Sequence, residues 1–173
     1  YFDTLKVFDK VMSEQMSEHF VFASILEFVE KKGLNKEYLS ESLKRLGEYT
    51  SIFSSEFAIR PYINSFEKET IKAIKLWSKS KDYHKRRLAS EGTRPHLPWA
   101  ININLEYSKS IEWLDVLYCD TNRYVTRSVA NHLNDISKID PGLVIRTLKK
   151  WQLESKQNSK EMDYIINHSL RTL

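Results

Sequence analysis

The chain has 173 residues, long enough for one domain with a sizeable core and short for two. Apolar residues make up 41% and charged residues 29%, which is ordinary for a soluble globular protein, and the net charge of +4 favours anionic partners only weakly. The longest apolar stretch, residues 20–29, is well short of the ~20 residues that a membrane span requires and contains Glu27. A transmembrane helix is therefore excluded there.

The single cysteine, Cys119, excludes an internal disulfide, so we expect a cytoplasmic protein with a small buried thiol.

Helical spacing of apolar residues recurs along most of the chain, and only 4 Gly and 4 Pro interrupt it. In chain order, the apolar stripes are Leu39, Leu43 and Leu46, which we expect to end at Gly47; Ile71, Ile74 and Trp77 within residues 67–77; Tyr107, Ile111, Leu114 and Tyr118; and Val125, Val129, Leu133 and Ile136. Asp140 followed by Pro141 predicts the N-cap and first position of a further helix. About ten helices of roughly 8 to 17 residues fit this pattern.

An internal period groups these helices. Residues 83–89 (YHKRRLA) align with residues 124–130 (YVTRSVA) at an offset of 41, and Tyr164 follows Tyr124 after a further 40 residues. A period of ~40 residues holding two helices is typical of HEAT and armadillo repeats, in which neighbouring pairs stack and leave a concave surface. We therefore predict an all-α fold, a HEAT-like α-solenoid of stacked antiparallel helix pairs, with residues 1–173 forming a single domain.

Charged residues lie opposite the apolar stripes in three successive repeats, and each repeat places an arginine beside a carboxylate. The members are Glu56 with Arg60; Arg87, Glu91 and Arg94, with Lys85 and Arg86 alongside; and Arg123, Arg127, Asn131 and Asp135 at four-residue steps, followed by Lys138. Such pairs are also common on solvated helices, where each contributes a few tenths of a kcal/mol. Their recurrence at corresponding places predicts instead one groove, rich in cations, that suits the backbone of a polyanion.

Three segments resemble a known family: SSEFAIRPY (residues 54–62), SEGTRPHLPWA (90–100) and YVTRSVANHLNDISK (124–138) are similar to the AlkC branch of the bacterial DNA alkylation repair glycosylases, HEAT-like proteins related to the AlkD branch. The resemblance runs from about Glu48 to the C-terminus. It implies a helical solenoid that holds double-stranded DNA on its concave face and removes cationic alkylpurines, chiefly 3-methyladenine, without a metal or organic cofactor.

The resemblance also implies roles for individual residues. It suggests Glu56, Glu91 and Asp135 as catalytic acids with Trp99 beside them, although a lone Trp is more often a packing residue. It implies contacts to DNA phosphates for Arg87, Arg94 and Arg127, to which the groove pattern adds Arg60, Arg86, Arg123, Asn131 and Lys138.

Two departures from the family pattern are visible. The chain is short before the first motif and begins at Tyr1, so we expect a truncated N-terminus, and we expect no immunoglobulin-like module of the kind that some members carry. Both departures affect the expected affinity for DNA more than the expected chemistry of base removal.

The chemistry of the residues agrees with this family. A purine that already carries a positive charge leaves without protonation, and a fixed carboxylate can stabilise the charge left on the sugar or orient the attacking water. The five histidines, at positions 19, 84, 96, 132 and 168, lack metal-ligand spacing, and we expect His96 and His132 to be surface or hydrogen-bonding residues. We expect a monomeric glycosylase for alkylated DNA; the alternative is a non-catalytic HEAT-repeat scaffold that binds DNA or protein.

Overall fold

The computed structural model describes residues 1–13 and 20–173, so His19 lies outside the described residues. Within those ranges the chain forms ten α-helices and no strand, which confirms the all-α prediction. The helices are α1 (Phe2–Ser13), α2 (Phe20–Gly33), α3 (Leu39–Tyr49), α4 (Arg60–Ser65), α5 (Glu67–Trp77), α6 (Tyr83–Glu91), α7 (Ile111–Leu117, preceded by a 3-10 turn over Tyr107–Ser110), α8 (Arg123–Ser137), α9 (Pro141–Glu154) and α10 (Ser159–Leu170). Two of them, α4 and α7, are shorter than the sequence pattern indicated.

The repeat seen in the sequence is a structural repeat. Tyr83 and Tyr124 lie in the first turn of α6 and α8, and Tyr164 lies in the second turn of α10. These three helices pack side by side, α6 on α8 and α8 on α10, whereas α7 and α9 pack on this row and α5 packs on both α4 and α6. In a curved stack of helix pairs, the row whose members approach one another is the concave one. The fold is thus a HEAT-like solenoid with α6, α8 and α10 on its inner side.

Side-chain caps begin four of the helices. The side chains of Asp82, Asn122, Asp140 and Asn158 accept hydrogen bonds from the backbone N–H groups of His84, Tyr124, Leu143 and Glu161. Each satisfies a donor that a helix start leaves without an intrahelical partner. The predicted cap at Asp140 is confirmed.

The core runs through α8, where the predicted stripe Val125, Val129, Leu133 and Ile136 is fully buried. The prediction that Gly47 ends its helix is wrong, because α3 continues to Tyr49. A Cβ at position 47 would lie 2.7 Å from Nε1 of Trp77 on α5. This glycine therefore permits close packing of α3 on α5.

The fold also bears on two expectations from the sequence, the burial of Cys119 and the exclusion of a transmembrane helix. Cys119 is partly exposed at the end of α7 rather than buried, and its thiol is free. Among the described residues, no helix is both long and apolar enough to cross a bilayer.

Candidate active site: an acid–arginine chain between the repeats

Three acids and two arginines predicted from the sequence meet at one place. Glu56 lies in the turn before α4, Glu91 ends α6, and Asp135 lies in the last turn of α8. Arg87 stands one turn before Glu91 on α6, and Arg94 follows that helix directly. Because α6 and α8 pack side by side, residues from different repeats converge here.

The five side chains alternate in charge and form a continuous series of ion pairs. Arg87 reaches Glu56 at 2.7 Å and lies 3.8 Å from Glu91. Arg94 then bonds Glu91 at 2.6 Å through Nη1 and Asp135 at 2.8 Å through Nε. We call this series, Glu56–Arg87–Glu91–Arg94–Asp135, the acid–arginine chain. Since its three carboxylates are buried, the paired arginines offset the cost of removing these groups from water.

The guanidinium groups are held in the charged state by their neighbours. Burial alone would lower the pKa of Arg87, but Glu91 and Glu56 outweigh it, and the pKa is raised. The same balance raises the pKa of Arg94, where Asp135 and Glu91 overcome the cost of burial. Both arginines therefore act as permanent bridges between carboxylates.

Three neutral donors complete the shell around the acids. Ser54 donates to Glu56 at 2.8 Å, and Ser128 of α8 donates to Glu91 at 2.7 Å. The indole N–H of Trp99 donates to Oε1 of Glu56 at 3.1 Å, while 62% of the Trp99 side chain stays exposed. Sequence reasoning missed Ser128, because a buried serine on an apolar helix face carries no local signal.

The three carboxylates differ in how many of their oxygens accept hydrogen bonds. Both oxygens of Glu56 and both of Glu91 accept hydrogen bonds from the donors described above. Asp135 accepts a bond only at Oδ2, from Arg94; the described cation nearest its Oδ1 is Lys138, at 3.7 Å. Asp135 is thus the acid in this series with an oxygen still available to another molecule.

Two arginines that were expected to contact DNA have internal roles instead. Arg60 is fully buried, and its guanidinium donates to the backbone carbonyls of Ile101 and Arg94. Arg86 forms a two-point pair with Asp120, at 2.5 Å and 3.0 Å. The expectation of phosphate contacts is wrong for Arg60 and is not supported for Arg86. Glu56 and Arg60 also form no pair, because Glu56 precedes the first turn of α4.

Other cations of the predicted set remain accessible. Arg123, Arg127 and Lys138 are exposed on or beside α8, and Arg123 lies over the ring of Tyr164 at 5.0 Å. Asn131, on the same helix, bonds His168 of α10 at 2.7 Å. A row of exposed positive charge therefore borders the acid–arginine chain.

His132 is buried directly behind the site. Its Nδ1 lies 2.9 Å from the carbonyl oxygen of Ser90, so this nitrogen carries the proton and donates. Burial lowers the pKa of His132 to about 3, and the imidazole is neutral near pH 7. His132 is thus a hydrogen-bonding residue of the interior, whereas His96 lies on the surface as expected.

No group of three or more His, Cys, Asp or Glu side chains suited to a metal ion occurs in the described part of the chain.

Comparison with known proteins places this site in a family. The model of the family described as DNA alkylation repair enzyme matches residues 3–167. The uncharacterized protein YhaZ of Bacillus subtilis strain 168 is 39% identical over 150 residues, which are 85% of this chain and 40% of that relative. The structure of Pseudomonas fluorescens alkylpurine DNA glycosylase AlkC, bound to DNA containing an abasic site analog, is 32% identical and matches with a TM-score of 0.90 over 99% of this chain and 47% of its own.

The present chain therefore spans less than half the length of both relatives. Within that span, the family match covers nearly every residue, including all members of the acid–arginine chain. The chain belongs to the DNA alkylation repair enzyme family.

Proposed function

We propose that the protein is a DNA glycosylase of base excision repair that hydrolyses the N-glycosidic bond of cationic alkylpurines such as 3-methyladenine. One observation carries this proposal: the acid–arginine chain holds three carboxylates beside an exposed indole, and within the described residues no hydrogen-bond donor reaches one carboxylate oxygen, Oδ1 of Asp135. Membership of the DNA alkylation repair family and the match to AlkC support the same function.

The proposed reaction needs a negative charge rather than an acid. In a 3-methyladenine nucleotide, the bond between C1′ and N9 breaks and its electron pair neutralises the departing base. Positive charge develops on C1′ and the ring oxygen, where the carboxylate of Asp135 stabilises it. Water then adds to C1′, and its proton passes through Asp135 to solvent, which leaves an abasic sugar. The indole face of Trp99 can attract the same developing cation.

Among the described residues, the proton donor nearest to Oδ1 of Asp135 is the exposed ammonium group of Lys138, at 3.7 Å. Arg87 and Arg94 stay charged, and His132 is neutral and buried with its N–H given to a backbone carbonyl. A lesion that must be protonated before it leaves would find no buried acid beside Asp135 in the described part of the chain. This favours bases that are cationic already.

We assign DNA binding to the exposed cations beside the site rather than to Arg87 and Arg94, which bridge the carboxylates. Arg123, Arg127 and Lys138 border the site and are exposed, so they can approach phosphates on the inner side of the solenoid. Arg87 and Arg94 instead hold the carboxylates in place. We propose that double-stranded DNA lies along α8 and the helices packed on it, bound by a monomer.

The test is release of 3-methyladenine from methylated duplex DNA, measured by chromatography in the presence of a chelator. We expect release above the spontaneous rate, and loss of most of it in Asp135→Asn. Asp163→Asn, which changes an exposed acid of α10, is the matched control. If folded protein that binds the DNA releases no base, the chain is instead a non-catalytic HEAT-repeat scaffold.

A further inference from the structure

The segment that joins α6 to α7 carries two residues of the site but has no regular structure of its own. Residues 92–106 contain Arg94 and Trp99 and form only turns and irregular backbone. A connection of this length within a compact fold is unusual unless it has a function. The position of Trp99 against Glu56 therefore depends on what holds this segment, which we call the tryptophan loop.

A buried arginine holds the loop from beneath. Arg60, the first residue of α4, donates through Nε to the carbonyl of Ile101 at 2.5 Å. Its Nη1 donates to the carbonyls of Arg94 at 2.9 Å and Gly92 at 3.4 Å. One guanidinium thus connects the beginning of the loop to a point two residues beyond Trp99.

Placing a guanidinium there is costly. Burial, and then the neighbouring charge of Arg94, lower the pKa of Arg60 to about 10, so the group is still protonated near pH 7. A buried cation is retained only where hydrogen bonds and nearby charges offset its desolvation. The bonds that do so for Arg60 all go to the tryptophan loop.

A second residue of α4 holds the same loop further along. Asn64 stands one turn after Arg60, and its side-chain amide donates to the carbonyl of Asn102 at 2.9 Å. Its side-chain oxygen accepts from the backbone N–H of Asn104 at 2.8 Å. These paired bonds resemble those between strands and leave the loop little freedom to slide along α4.

We propose that Arg60 and Asn64 form a clamp that positions the tryptophan loop, so that Trp99 meets Glu56 and Arg94 bridges Glu91 to Asp135. Neither residue touches DNA in this proposal: Arg60 acts through Trp99 and Arg94, and Asn64 acts through Trp99. The inference deepens the proposed glycosylase function and rests on it only for its effect on rate.

Asn64→Ala tests the clamp with little risk to the fold, because Asn64 is exposed. The matched control is Asn102→Ala, which removes the same kind of side chain from an exposed position but leaves the backbone carbonyl that Asn64 contacts. Arg60→Lys is a further variant that keeps the charge and loses the forked geometry.

Quenching of tryptophan fluorescence by acrylamide gives a readout that needs no activity. Trp77, Trp113 and Trp151 are buried, so the quenchable emission comes from Trp99. We expect Asn64→Ala and Arg60→Lys to increase quenching of this emission and to lower its anisotropy, with Asn102→Ala unchanged. If Asn64→Ala and Asn102→Ala both match the parent protein, the clamp is refuted, whether or not the protein is a glycosylase.

Single-turnover excision then asks whether the clamp matters for the reaction. Small displacements of a positioning group cost up to about a hundredfold in rate, so we expect Asn64→Ala to slow excision by roughly tenfold without weakening DNA binding. In a Trp99→Ala background, Asn64→Ala should add less than about a twofold loss, since its effect passes through Trp99. An undiminished effect in that background would mean that Asn64 does not act through the indole.

Discussion

Arg94 reaches Asp135 across 41 residues of sequence, Nε to Oδ2 at 2.8 Å, while its Nη1 holds Glu91 at 2.6 Å. The separation is one full repeat, so the pair joins the end of α6 to the same level of α8. A single guanidinium therefore fixes the distance between two carboxylates that no helix could bring together by itself. Among the residues that the structure describes, no hydrogen-bond donor reaches the other oxygen of Asp135, Oδ1.

The first prediction concerns the acids. Asp135→Asn keeps the size of the side chain and removes its charge, so we expect excision of 3-methyladenine to slow by about a hundredfold or more. Glu91→Gln should have a smaller effect, because both oxygens of Glu91 already serve Arg94 and Ser128. Single-turnover rates measure both, with thermal unfolding as the check on folding. Near-normal rates in both variants would remove these acids from the reaction.

The second prediction concerns the affinity for DNA and its dependence on salt. Arg127→Ala should weaken binding about equally for all duplex sequences and reduce the slope of log K against log salt by roughly one unit. Arg146→Ala is the matched control, because Arg146 is equally exposed but lies on α9, in the outer row. Titrations by fluorescence anisotropy at several salt concentrations give both slopes. Equal slopes in the two variants would place the DNA away from α8.

The third prediction concerns lesion choice. Hypoxanthine and uracil are neutral, so the carboxylates do not attract the intact base, and each base would have to leave as an anion unless an acid protonated it. We expect them to be cut poorly or not at all, even in mismatched DNA where the base is easily exposed. Duplexes of one sequence, each with a single cationic or neutral lesion, allow the single-turnover rates to be compared. Comparable rates would mean that the protein reads the base itself in an enclosed pocket.

The fourth prediction concerns pH and stability. Burial lowers the pKa of His132 from 6.5 to about 3, so between these values the unfolded chain takes up a proton that the folded chain refuses. Folding stability therefore decreases as the pH is lowered through this window, by somewhat more than about 1 kcal/mol for each pH unit below 6.5. Since Gln does not titrate, the stability gap between the parent protein and His132→Gln should narrow by about 3 kcal/mol from pH 7.5 to pH 4.5. Urea unfolding at both pH values measures it, and a constant gap would contradict the buried neutral imidazole.

The sequence alone predicted the features that depend on local periodicity. Apolar spacing located α5 and α8, the Asp140–Pro141 pair located the start of α9, and the recurring tyrosines revealed the repeat. These features follow from helix geometry and capping, which act over a few residues. The segments carrying Glu56, Glu91, Asp135 and Trp99 were selected by their resemblance to the family, because their motifs are contiguous.

Only the tertiary structure decided which charges meet. Glu56 was expected beside Arg60, four residues away, yet it pairs with Arg87 at 2.7 Å, 31 residues further along the chain. A surface pair at helical spacing is worth a few tenths of a kcal/mol, whereas a buried guanidinium without partners costs several. The partners of these arginines therefore follow from which groups are buried beside them. Arg60 is buried beneath the tryptophan loop and bonds its carbonyls, whereas Arg87 and Arg94 lie between the buried acids and pair with them.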